Sequence, residues 1–199
     1  MANALDKMAF LPFGYLVDKY RWDLYSGLAN TETEMNCHWV KLRSQIQGVK
    51  PPIMRSDDKG HFDPGCKYHV AGNVGYVRYF TANIYQVQFY REMCLVSKQY
   101  VPNDPSKPLH QCNFFGSKEA GDKLSTMLEM GASKPWKDAM EAMTGQRSMS
   151  TDAYREYFKP LEDWLIQENA KNGVKVGWIN PPIEEMCQAK TESKADTLF

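Results

Sequence analysis

Between Lys67 and Phe80 the chain places an ammonium (Lys67), an imidazole (His69), the phenols of Tyr76 and Tyr79 and a guanidinium (Arg78) within fourteen residues. Together these groups can do two kinds of chemistry. Lys67 and Tyr76 can hold a carboxylate, as an ion pair reinforced by a short hydrogen bond. His69 and Tyr79 can donate to an oxygen on which negative charge develops. If the stretch opens a helix, Tyr76 and Tyr79, three apart, share one face of it. A plainer reading has the same residues as packing groups with one satisfied polar tip each, and His69 as a structural histidine. Spacing alone leaves both open.

Other chemistry is absent from the sequence. The four histidines, at 38, 61, 69 and 110, include no two that are four apart, so no HExxH motif is present. No CxxC pair or His/carboxylate cluster replaces it, and the chain itself offers no metal ligand set. Gly72 and Gly75 open no phosphate loop, and no GxSxG elbow occurs. With 24 basic against 24 acidic residues the net charge is zero, which gives no footprint for nucleic acid. No run approaches the ~20 apolar residues of a membrane span. The N-terminal residues lack a signal-peptide profile. Five cysteines leave the redox compartment ambiguous.

The elements that must position Lys67–Phe80 read as helices. Apolar spacing predicts one helix over 4–10 and a second over 13–25, with Pro12 as a kink or break between them. Residues 26–36 are polar. Trp39, Leu42, Arg43 and Ile46 carry a helix stopped by Gly48 and Pro51-Pro52. After a loop at 53–66, Val74 to Gln99 reads as one long, largely buried helix. A proline-rich loop covers 100–110. Helices follow at 117–131, at 135–144 (with Pro135 in its first position) and at 150–170, and 180–199 reads as a polar tail. The fold class is all-α.

Several blocks carry a resemblance: Ala4-Leu5-Asp6-Lys7-Met8-Ala9-Phe10-Leu11-Pro12-Phe13-Gly14-Tyr15-Leu16-Val17-Asp18, Tyr20-Arg21-Trp22, His61-Phe62-Asp63, Lys67-Tyr68-His69-Val70, Tyr76-Val77-Arg78-Tyr79-Phe80, Pro108-Leu109-His110-Gln111-Cys112 and Lys134-Pro135-Trp136. Over about residues 4 to 178 the chain resembles the angiotensin-converting enzyme family of zinc peptidyl-dipeptidases, in the C-terminal third of one catalytic domain. The resemblance implies residues 1–178 as part of that helical peptidase domain and 179–199 as a tail. It implies that Lys67 and Tyr76 grip the C-terminal carboxylate of an oligopeptide substrate, and that Phe10 lines the pocket for its last side chain. His69 and Tyr79 are implied as donors to the scissile carbonyl and the tetrahedral intermediate. Arg78 matches the arginine of one chloride site, and Trp39 with Arg43 matches the other. Cys94 and Cys112 match a family disulfide closing a loop worth about 3 kcal/mol, whereas Cys37, Cys66 and Cys187 are given no partner.

The family's zinc motif and its third ligand, a glutamate, are expected upstream of the matched block. The isolated chain is therefore expected to be inert as a peptidase, with the N-terminal part of the domain as its partner. The resemblance also implies an extracellular or cell-surface location. A non-peptidase member, or a peptide-binding module without the metal, is the alternative. Lys67, His69, Tyr76, Arg78 and Tyr79 standing together favour the peptidase.

Overall fold

The computed structural model describes residues 1–57 and 60–190, in two compact units: residues 1–80 with the C-terminal segment from 175, and residues 81–174. The first unit opens with α1 (Ala2–Tyr25), which runs unbroken through Pro12. The two helices expected on either side of that proline are thus one. Pro12 lacks an N–H to bond the carbonyl four residues back, at a cost of about 3 kcal/mol in a helix interior. Leu16, Val17 and Tyr20 offset it, because all three are fully buried and burying each contributes about 1.5–3 kcal/mol.

Those side chains pack on Trp39 and Leu42 of α2 (Met35–Gln47). No residue of α2 caps its own N-terminus. The Asp57 carboxylate does so from a distance, accepting from Asn36 N at 2.6 Å and Cys37 N at 3.2 Å. Gly48 ends the helix at φ +68°, and a Cβ there would lie 2.5 Å from the Trp178 indole. Both the left-handed backbone and the close ring require glycine.

Beyond Gly48 come the short strand β1 (Arg55–Ser56), a 3-10 turn over Asp63–Cys66, the single turn α3 (Tyr68–Ala71) and α4 (Val77–Val96). Strand β2 (Cys187–Gln188) pairs with β1 in parallel, Arg55 opposite Cys187 and Ser56 opposite Gln188. A disulfide joins Cys37 to Cys187 across 150 residues, and Met186 and Cys187 are buried against Val40. The stretch 180–190, expected as polar tail, is therefore fastened to α2, while the tail beyond 190 lies outside the described residues. Of the three cysteines without an expected partner, only Cys66 is a free thiol.

The second unit continues α4 and adds α5 (Lys118–Glu129), α6 (Trp136–Thr144) and α7 (Asp152–Lys171, containing Pro160). Its core holds Cys94, Tyr100 and Leu109, and the Cys94–Cys112 disulfide is present. The Tyr90 hydroxyl donates to Cys112 O at 2.6 Å beside that bond. Pro135 caps α6 rather than opening it. Among the described residues the seven α-helices and two two-residue strands make the chain all-α. The expectation of a largely buried α4 is corrected: it is shorter, and only Ile84, Gln88 and Cys94 in it are buried. Its rings occur all round the axis, and each meets another ring while staying partly exposed.

Three carboxyls in the first unit are held below the ordinary aspartate value of 3.8. At Asp18 and Asp23 burial pushes upward, but hydrogen bonds from Val77, Tyr76 and Arg21, and from Lys19 and His38, outweigh it. At Asp63 the Arg55 guanidinium is the leading cause. A depressed carboxyl stabilises fully above its unfolded-state pKa, and that stability disappears as pH falls through the lower folded value. Acid unfolding followed by tryptophan fluorescence is expected to begin only below about pH 4. Loss between pH 5 and 6 would contradict the pairing.

Candidate active site

Lys67, His69, Tyr76 and Tyr79 are brought together by α1, which holds the backbone between them. Asp18 Oδ2 accepts from Tyr76 N at 2.8 Å and Val77 N at 2.6 Å, satisfying amides that the start of α4 leaves open. Arg21 pairs with Asp18 and donates to His69 O at 3.0 Å and Val74 O at 2.7 Å. The shared helical face expected for Tyr76 and Tyr79 is not what brings them together. Tyr76 stands just before α4, with its carbonyl accepting from Tyr79 N at 3.0 Å.

The rings nevertheless meet. Tyr76 lies 5.0 Å from Tyr79 and 4.8 Å from His69 between centroids, and His69 Nε2 is 3.3 Å from Tyr79 Oη. Tyr76 is buried at 4% exposure, whereas Tyr79 is 38% exposed. The Lys67 ammonium sits 4.8 Å above the Tyr76 ring and 5.6 Å above Phe13. Phe10 packs on Tyr76 at 6.1 Å, so the other four residues all meet at the Tyr76 ring. Arg78 is exposed, its guanidinium 5.3 Å from the Tyr79 ring centre.

Burial, and then the cations Lys67, Arg78 and Arg21, hold the His69 imidazole below its ordinary pKa, with Asp18 opposing them. Its Nδ1 is buried without a hydrogen-bond partner among the described residues. An orphaned buried N–H is the rarer arrangement, so the proton of the neutral ring belongs on Nε2, facing Tyr79. Trp39 and Arg43 lie one helical turn apart on α2. The Arg43 guanidinium is 5.9 Å from the Trp39 ring and 5.5 Å from Phe13. Burial lowers the pKa of Arg43, and Asp63 opposes the shift. A cavity of about 410 Å³ opens beside Arg43 and Lys67 and is also lined by Arg55, Asp63 and Cys66.

The family model of angiotensin-converting enzyme (Peptidase_M2) matches residues 1–178. The chain belongs to the angiotensin-converting enzyme family. It is 48% identical over 163 residues to the angiotensin-converting enzyme of Haematobia irritans exigua, covering 82% of this chain and 26% of that protein. With the angiotensin-converting enzyme of Oryctolagus cuniculus it shares 46% identity over 178 residues, 89% of this chain and 13% of that protein. With the angiotensin-converting enzyme-like protein Ace3 of Mus musculus it shares 43% over 195 residues, 98% of this chain and 25% of that protein. The chain thus spans between about an eighth and a quarter of these family members.

Sequence reasoning missed two parts of this region. Asp18 and Arg21 look like an ordinary surface pair at i, i+3, and Cys37 and Cys187 are too far apart to suggest a bond. Among the described residues, the group of ligand-type side chains close enough to share an ion is Cys37, Asp57 and Cys187. Both sulfurs are committed to the disulfide, and the carboxylate already accepts two amides. That set does not fit zinc. No described helix is long and apolar enough to cross a membrane.

Proposed function

We propose that this chain forms the carboxylate-binding and oxyanion-stabilising wall of a zinc peptidyl-dipeptidase that removes C-terminal dipeptides from oligopeptides. The observation that carries it is the 3.3 Å pairing of His69 Nε2 with the Tyr79 hydroxyl, on accessible surface beside the Lys67 ammonium. Lys67 and the Tyr76 hydroxyl take the substrate's terminal carboxylate, and Phe10 bounds the pocket of the last side chain. Neutral His69 and Tyr79 donate to the scissile carbonyl oxygen, and they do so more strongly as it gains charge. Arg78 serves one chloride site and Trp39 with Arg43 the other. Zinc and the general base come from the rest of the domain, of which residues 1–178 are the C-terminal part. Family membership supports an extracellular or cell-surface setting.

A blocked dipeptide with a free carboxylate is expected to bind the 199-residue chain about ten- to a hundredfold more tightly than its amide, the range of one charge-assisted contact. Equilibrium dialysis measures both. Lys67→Ala should erase the difference, and equal binding of acid and amide by the unaltered chain would refute the grip. Metal analysis of the same protein is expected to find no stoichiometric zinc, and a blocked tripeptide should survive incubation with it. One zinc per chain, with chelator-sensitive cleavage, would overturn that expectation.

A further inference from the structure

Two buried charges in α1 take no direct part in this chemistry, yet their bonds converge on the segment that carries it. Asp18 and Arg21 are 5% and 7% exposed. Desolvating such a pair costs several kcal/mol per ion, so a buried ion pair is weak evidence for stability and a well-packed apolar pair often does as well. What an apolar pair could not do is bond backbone. Arg21 holds the carbonyls of His69 and Val74, and Asp18 holds the amides of Tyr76 and Val77. The backbone between these anchors contains Gly72, Gly75 and Asn73, the last at φ +52°. Its own bonds, Asn73 N to Val70 O and Val74 N to His69 O at 2.8 Å, close a turn that ends at Val74, and Asp18 with Arg21 joins that turn across Gly75 to Tyr76.

We propose that Asp18 and Arg21 are positioning residues that set the distance between the His69 ring and the Tyr76–Tyr79 turn without touching substrate. The inference rests on the reading of His69 and Tyr79 as paired donors. Its test uses the whole chain and nuclear magnetic resonance. Arg21→Lys keeps the positive charge but replaces the rigid fork, one guanidinium nitrogen on His69 O and the other on Val74 O, with a single flexible point donor. In that variant the His69–Tyr79 ring contact is expected to vanish, while the Tyr20–Trp39 contact (5.4 Å between centroids) persists as a marker of the intact core.

Asp18→Asn gives a readout of opposite sign to unfolding. The groups facing His69 are the cations Lys67, Arg78 and Arg21, the anion Asp18, and the rings of Tyr68, Tyr76 and Tyr79. Without the anion, the His69 titration moves further below its ordinary value, whereas unfolding would return it upward. A retained His69–Tyr79 contact in both variants overturns the proposal. So does joint loss of both ring contacts in Arg21→Lys, which would make the pair merely structural. If Asp18→Asn does not fold, Arg21→Lys decides alone. Should the ring contact respond as expected while acid and amide dipeptides bind equally, the proposed function falls and the positioning role stands.

Discussion

Replacing Tyr79 by Phe, in a polypeptide that joins these residues to a zinc-bearing half, is expected to lower kcat by two to three orders of magnitude and to leave KM nearly unchanged. The hydroxyl would donate to an oxyanion that is fully developed only in the transition state, so its removal takes little ground-state binding away. Loss of one such donor costs about 3–4 kcal/mol. The ring itself remains, so its contacts with Tyr76 and His69 survive. Lys67→Ala is expected to behave in the opposite way. Its ammonium would hold a carboxylate present in substrate and transition state alike, so KM rises strongly and amidated peptides are least affected. Steady-state kinetics separates the two. A rise in KM alone for Tyr79→Phe, or equal weakening of acid and amide by Lys67→Ala, would reverse the assigned roles.

The second large effect concerns stability. Cys187→Ser removes a bond that closes a loop of 150 residues. The chain-entropy relation puts a closure of that length at about 5 kcal/mol, comparable to the entire stability of many domains at about 5–15 kcal/mol. The Cys94–Cys112 bond closes a loop of 18 and is worth about 3 kcal/mol by the same relation. Urea unfolding of Cys187→Ser is therefore expected to show the larger drop in midpoint of the two single-bond variants. Amide exchange should rise first at Arg55 and Asp57, whose N–H groups donate to Met186 and Gln188. A loss under about 1 kcal/mol would mean that the short parallel pairing holds without the bond.

Much of the fold was legible because its signals are local. Three- and four-residue spacing located α2 and α4, and Gly48 marked the end of α2 through the left-handed backbone that glycine accepts without strain. The proximity of Lys67, His69, Tyr76 and Tyr79 was legible too, since they lie within one short stretch. Its cause was not. The sequence reading took Tyr76 and Tyr79 for neighbours on a helix, but Tyr76 precedes α4 and is set by a carboxylate from α1. Pro12 misled in the same manner, because helix rules price the lost hydrogen bond and cannot see Leu16, Val17 and Tyr20 buried beyond it. The Cys37–Cys187 bond was out of reach, for among five cysteines connectivity does not follow from spacing. The Cys94–Cys112 bond was anticipated only because a family pattern supplied it.

The same long bond orders the chain's biosynthesis. Synthesis runs from the N-terminus, so Cys37 emerges early and its partner Cys187 emerges last of the five. Throughout that interval Cys66 is the nearest to Cys37 of the other four cysteines, and closing its roughly fivefold shorter loop is easier by about 1.5 kcal/mol. Exposed Cys66 is thus the natural wrong partner. The correct bond wins only after β1 and β2 have paired and brought Cys187 beside α2. Oxidation before that point yields a misbridged chain whose rescue depends on thiol exchange.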